Sequence, residues 1–347
     1  MLSQKIKRNI KTPQKIPLYT DMFFFYYEVQ EMKMKKIILA LLSTLSIFML
    51  ISCSTTVSST VTRPAELDMH GARTIAVLPF QEYSPSGFLA GNSSEKDRKE
   101  CCDYISTELE ERLADVEYYT LESSTRVKVA IEKGRTPPVE VYITGYINRF
   151  NDKVSVSEHK SKNDDDEEVI EYVYTRDIDL DLVYQIVDAT SNVVLHKNSK
   201  SFNASDRAYS KRTLKPAFDL IRPDLDSFVS DLLKKIQPYE EKVYYTLLES
   251  KSKDPEMKLA MKLANNNQID AACDKFLSIY EETGDFTAGY NAAILLEAMG
   301  DLYEARDIMK YLADETADKR ALKALKNINN EIELSEKLEQ QNANRLF

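Results

Sequence analysis

The sequence predicts an α+β (mixed α/β) sheet domain followed by an all-α helical-repeat domain. Three observations point there. The apolar run Thr74-Ile75-Ala76-Val77-Leu78-Pro79-Phe80 precedes helical spacing at Cys102, Ile105, Leu109 and Leu113. Period-two alternation then governs the chain from Val139 to about Leu195. Near the C-terminus, a pattern of small and apolar residues returns after 33 residues.

The chain opens on a segment expected to lie outside the fold. Met34, Lys35 and Lys36 form a short basic start, and residues 37–51 are apolar, the layout of a secretory signal over 34–52. At about 15 residues the run is short of the roughly 20 that a membrane-spanning helix needs. Residues 1–33, with Phe23-Phe24-Phe25-Tyr26-Tyr27, precede any signal and are expected to be an extension ahead of the true start at Met32 or Met34. An aromatic anchor at 22–27 is the competing reading. Leu50-Ile51-Ser52-Cys53 resembles the lipobox of bacterial lipoproteins. By that resemblance Cys53 is acylated and becomes the first residue of the mature chain, whose partner is then membrane lipid. More than one acyl chain is needed because a single chain attaches only reversibly. The plain alternative is an ordinary signal peptide that contains a cysteine. Ser54 in place of Asp implies, by the same resemblance, the outer membrane facing the periplasm.

From Cys53 onward the chain carries 38 basic and 53 acidic residues, a formal charge of −15. No dense Lys/Arg face opposes that background, so nucleic acid is not an expected partner. The 295 residues exceed one ordinary core and suggest two domains. Cys101, Cys102 and Cys273 show no C-x-x-C spacing and no neighbouring histidine, so neither a zinc nor a redox site is expected. Adjacent helical side chains point about 100° apart, so a bond between Cys101 and Cys102 would be strained. Buried thiols are the ordinary state, and a disulfide from either to Cys273 stays open.

Residues 53–72, rich in Ser and Thr, read as a lipidated tether, and the sheet domain is expected over 73–238. After the strand at 74–80 and its helix, capped by Ser93 or Ser94, residues 118–121 are a short strand candidate. Residues 124–133 form a helix that Gly134 would end. Val139, Val141, Ile143 and Ile147 alternate with polar partners, as do Ile178, Leu180, Leu182, Tyr184 and Ile186. The turn at 188–192 then closes a long hairpin. The acidic run at 164–168 lacks the alternating ligands and glycine of a calcium loop and reads as a solvated hairpin tip. Asp177, Asp179 and Asp181 read as a solvent face. Pro223 is expected to open a helix that Pro238 closes. Residues 239–254 form a connector, 255–316 two helical hairpins, and 317–347 a capping helix and tail.

The order of these elements, with Val77-Leu78-Pro79-Phe80, Thr144-Gly145 and Tyr184-Gln185-Ile186-Val187-Asp188-Ala189, resembles a lipoprotein domain over about residues 72–238. That domain is shared by the curli-secretion channel lipoprotein and the type B penicillin-binding-protein activator. The resemblance implies fold and no catalytic residue. A membrane-spanning hairpin at 149–173 is disfavoured because residues 160–168 interrupt it.

The pattern Leu259, Ala260, Leu263, Asn267, Ala272, Phe276, Ile279 recurs as Ala292, Ala293, Leu296, Gly300, Ala305, Met309, Leu312. With Tyr290-Asn291, Gly300-Asp301 and Glu304-Ala305 it resembles a tetratricopeptide repeat. That resemblance implies a concave face for extended peptides, lined here by Tyr290, Ile294 and Glu297. The alternative is that the repeats and their cap merely dock on the sheet domain. His70, His159 and His196 stand apart, and no phosphate loop, nucleophile elbow or H-E-x-x-H occurs. No enzyme, catalytic residue, cofactor or metal is expected. The reading is a non-enzymatic, membrane-anchored envelope lipoprotein that scaffolds or regulates an assembly through contact with envelope proteins. The alternative is a subunit of an oligomeric outer-membrane export channel.

Overall fold

Tyr184 and Phe228 meet edge to face at 5.3 Å, and the first core is built around them. The computed structural model describes residues 55–82, 95–116, 118–162, 168–250 and 252–346. Cys53, the signal segment and the expected helix caps Ser93 and Ser94 lie outside the described residues. Residues 56–347 form one compact body.

The main sheet has the order β4-β2-β5-β6-β7. Its strands are β2 (Thr74–Val77), β4 (Thr120–Leu121), β5 (Val141–Lys162), β6 (Glu168–Asp188) and β7 (Val193–Ala208), and β3 (Gln81–Glu82) also pairs β5. β2 runs parallel to β4 and β5, while β5, β6 and β7 are antiparallel. One face packs on α1 (Glu95–Asp115) and α3 (Ala217–Ile236) through Ile105, Leu109, Leu182, Tyr184, Ile221 and Phe228. Among the described residues the other face is covered near β2, where α2 (Ser124–Glu132) places Val127 against Ala76, Tyr142 and Val187. The fold is thus the α+β sheet followed by helices that the alternation predicts.

Beyond Tyr174↔Ala208 the sheet narrows to the two strands β5 and β6, paired as far as Lys162↔Glu168. Acidic residues 164–167 lie outside the described residues. Asp181 pairs with Arg149 at 2.9 Å and Asp179 accepts from Asn151 at 3.3 Å. That places the aspartate ladder on a polar cross-strand face.

Pro223 lies inside α3 and does not start it. The helix begins at Ala217, after Pro216, because Ala217 and Ile221 extend the buried stripe by a turn. Fully burying one isoleucine contributes about 1.5–3 kcal/mol, comparable with the roughly 3 kcal/mol cost of an internal proline.

Two segments read as tether and connector are strands. β1 (Thr56–Arg63) pairs with β8 (Tyr239–Thr246) in an antiparallel ribbon from Thr56↔Thr246 to Arg63↔Tyr239. Each strand is rich in β-branched or aromatic residues, but the partners lie far apart in sequence, and period two is weak in either alone. The chain between the ribbon and β2 is docked as well. Met69 and Ala72 join the sheet core, and the amides of Glu66 and Leu67 donate to the carbonyls of Lys234 and Lys235 at 3.2 and 2.9 Å.

The helical part comprises α4 (Pro255–Asn265), α5 (Ile269–Thr283), α6 (Phe286–Met299), α7 (Leu302–Thr316) and α8 (Lys319–Leu346). The backbone repeats as the sequence does. Asn267 and Gly300, 33 residues apart, both adopt left-handed φ (56° and 93°), and so do Gly284 and Ala317 (68° and 51°). Thr283 Oγ1 accepts from the Asp285 amide at 3.2 Å, and Thr316 Oγ1 accepts from the Asp318 amide at 3.2 Å. The helix expected as a cap therefore starts as a third repeat would. Its far end reaches the sheet domain, where Gln341 exchanges two hydrogen bonds with Ala65 at 2.9 and 3.0 Å. Arg345 stacks 3.6 Å over the Tyr118 ring.

Candidate binding cleft

Helix α6, which carries Tyr290, Ile294 and Glu297, is buried from Ala288 to Ala298. A helix apolar on nearly every side must be covered on every side. One side meets α5, where Gly289 lets the Tyr280 ring approach; a Cβ there would lie 2.7 Å from it. The concave side meets the β1–β8 ribbon, with Val57, Tyr245 and Leu247 in the repeat core. Asn291, fully buried, donates through Nδ2 to the Leu248 carbonyl at 2.9 Å, and its Oδ1 accepts from the Leu248 amide at 2.7 Å. The repeats thus hold an extended segment of their own chain on the face expected to take a partner.

The ribbon leaves part of that face uncovered. A cavity of about 560 Å³ lies between β8, α6 and α8. Tyr290, Ile294 and Glu297 all line it. Lys323, Asn327 and Asn330 line it too, and each sits 33 residues beyond one of those three. Successive first helices present equivalent positions to one cleft, and β8 closes it with Tyr244 and Tyr245. The sequence reading missed the α8 residues because it carried the repeat through two copies; a third application of the 33-residue step finds them.

The cleft carries charge at both ends. Near Lys323 stands Arg320, whose guanidinium is held by Asp318 at 2.7 Å. Near Glu297 stands a partly buried charge cluster. Arg63 bonds Glu241 at 2.7 Å and also bonds Glu331. Burial alone would weaken its proton affinity, but the two carboxylates outweigh it and the Arg63 pKa is raised. Glu297 is 7% exposed, and its carboxylate accepts no hydrogen bond among the described residues. Burial first, then the charge of Glu331, lift its pKa to about 7 against the opposing pull of Arg63. Arg63 lies in the segment read as tether, so neither it nor its partners could be found from local sequence.

The remaining candidates lie apart from the cleft. His196 contacts Tyr184 at 3.2 Å, and burial lowers its pKa. Cys101 and Cys102 belong to the sheet core and Cys273 to the repeat core, and all three are free thiols. The option of a disulfide to Cys273 is thereby overturned: Cys273 is packed into a different apolar cluster from the Cys101–Cys102 pair. No helix among the described residues is long and apolar enough to cross a membrane.

No family model and no curated protein matches this sequence. Solved structures similar to it include lipoprotein GNA1162 from Neisseria meningitidis, at 11% identity and TM-score 0.22, over 47% of this chain and 97% of the other. A PelC dodecamer from Paraburkholderia phytofirmans matches at 9% identity and TM-score 0.24, over 52% of this chain and 98% of the other. Protein XCC0632 from Xanthomonas campestris, of the DUF330 family model, matches at 7% identity and TM-score 0.26, over 49% and 85%.

Proposed function

We propose that this chain is a non-enzymatic envelope lipoprotein, anchored through acylated Cys53 in the outer membrane and facing the periplasm, that acts by binding an envelope protein in the cleft between β8, α6 and α8. The observation that carries the reading is the convergence of equivalent repeat positions, Tyr290, Ile294 and Glu297 with Lys323, Asn327 and Asn330, on one open cavity. A repeat array that faces solvent with matched positions offers an extended ligand the same kind of contact at successive helices. The exchange of Asn291 with the Leu248 backbone just beyond β8 supports the same reading, because a side chain of this helix already holds main chain. The lipid anchor rests on the basic, apolar and Leu50-Ile51-Ser52-Cys53 pattern.

A photo-crosslinking residue placed at Asn327 in living cells tests the cleft. One discrete envelope partner is expected, absent when the same residue replaces exposed Tyr209. Equal labelling from both positions would overturn the reading. For the anchor, Cys53→Ser should abolish incorporation of labelled palmitate and release the protein from membranes. Unlabelled wild-type protein would sink that part.

A further inference from the structure

The two ends of the cleft are not equivalent. Along α8, Lys323 and Glu331 are eight residues apart, about 12 Å of helix rise. At the Lys323 end, the charge of Arg320 is answered by Asp318. At the Glu331 end, Arg63 stands against three carboxylates, Glu241, Glu331 and Glu297, and is hydrogen-bonded to the first two. Those four groups carry a formal charge of −2 when all are ionised. Glu297 is the member left over: nine-tenths buried, lining the cavity, beyond ion-pair distance of Arg63 and without a hydrogen-bond donor among the described residues. Ionised and unpaired, a buried carboxylate costs several kcal/mol, a cost that either a bound proton or an incoming cation relieves.

We infer that the Glu297 end of the cleft is a seat for a single cationic side chain, lysine or arginine, projecting from an extended segment of the partner protein. This rests on the reading of the cleft as a protein-binding site and names the chemistry that site selects. The aromatic walls fit the assignment. Tyr290 and Tyr245 line the same cavity as Glu297, so the aliphatic stem of a long basic side chain can lie against a ring while its head meets the carboxylate. Asn330, which also lines the cavity, adds an exposed amide. The groups that face Glu297 are Arg63 from β1, Tyr245 from β8, Tyr290 from its own helix and Glu331 from α8. None of these supplies a free positive charge. A cation that binds there must meet an ionised carboxylate, so binding at neutral pH displaces a proton from Glu297 and strengthens as pH rises from 6 to 8.

The probes are N-acetyl-arginine amide, its lysine counterpart, and N-acetyl-citrulline amide, which keeps the shape of arginine and lacks its charge. Amide NMR shifts of the full-length protein are followed on titration at pH 6 and pH 8. The expected result is saturable shifts on α6 and α8 around Glu297 for arginine and lysine, tighter at pH 8, and none for citrulline. Glu297→Gln is expected to weaken binding at least tenfold. Should that variant fail to fold, Asn327→Arg, which brings a cation into the cleft in cis, is expected to block the probes instead. Equal shifts for citrulline, no shifts in the cleft at all, or probes that bind both variants as they bind wild type would each overturn the inference. A partner crosslinked from Asn327 in cells while no cationic probe binds would overturn this assignment and leave the protein-binding reading standing. A cationic probe that binds while no partner is crosslinked would do the reverse.

Discussion

Asn291 and Leu248 meet through a two-way exchange: the asparagine amide gives one hydrogen bond to the Leu248 carbonyl and takes one from its N–H, at 2.9 and 2.7 Å. A buried side chain in the middle of α6 thereby fixes the strand exit after β8, and with it the ribbon on the repeats. Removing the side chain leaves two backbone groups without partners in a partly buried place. Asn291→Ala is expected to cost about 2–4 kcal/mol, read as a lower midpoint in urea unfolding. A loss below about 0.5 kcal/mol would mean that the ribbon does not depend on this clamp.

Glu297 makes stability depend on pH in a direction opposite to most carboxylates. Its folded pKa, about 7, lies above the unfolded value of 4.5, so the folded state holds the extra proton between those limits. Its contribution is intact below pH 4.5 and is lost as pH rises through 7, an effect of about 3 kcal/mol in full. Glu297→Gln should therefore match wild type near pH 4 and exceed it by about 3 kcal/mol at pH 8. Thermal unfolding at the two pH values checks this, and an advantage that does not grow with pH would refute it.

Ala317 occupies the left-handed backbone position that Gly284 fills one repeat earlier, at φ 51° against 68°. An L-residue with a Cβ is strained there and glycine is not. Ala317→Gly should raise stability by about 0.5–1 kcal/mol, whereas the same exchange at Ala313, inside α7, should lower it. Paired denaturation curves distinguish the two.

Much of the architecture is legible in the residues, because local periodicity reports which face of an element is buried. The hairpin of β6 and β7 is written in the alternation from Ile178 to Ile186, and the repeat in Asn267 and Gly300, whose left-handed turns recur at the sequence spacing. The β1–β8 ribbon is not legible: pairing between Val57 and Tyr245 is a long-range fact, and neither strand alternates strongly enough to announce itself. The cleft was half visible for the same reason. Tyr290, Ile294 and Glu297 follow from the repeat, while Arg63 reaches Glu331 only because the ribbon brings distant segments together. Asn291 leaves a trace, as a lone amide among the apolar residues of α6, but its partner Leu248 lies in a stretch with no pattern.

The cysteines should be silent in the native state. Cys101 is fully buried and Cys273 nearly so, and burial pushes both thiols up to about 12, so almost no thiolate exists at neutral pH. A disulfide-exchange reagent should react with Cys101, Cys102 and Cys273 of the Cys53→Ser protein only at the rate of unfolding. Rapid release of a thiol equivalent under native conditions would count against the packing described.

With β1 beginning at Thr56, only Ser54 and Thr55 separate the folded ribbon from the cysteine proposed to carry lipid. That leash spans at most about 10 Å when fully stretched. If Cys53 is acylated as proposed, so short a leash leaves the body no reach across the compartment, and whatever it binds would have to come to the membrane surface.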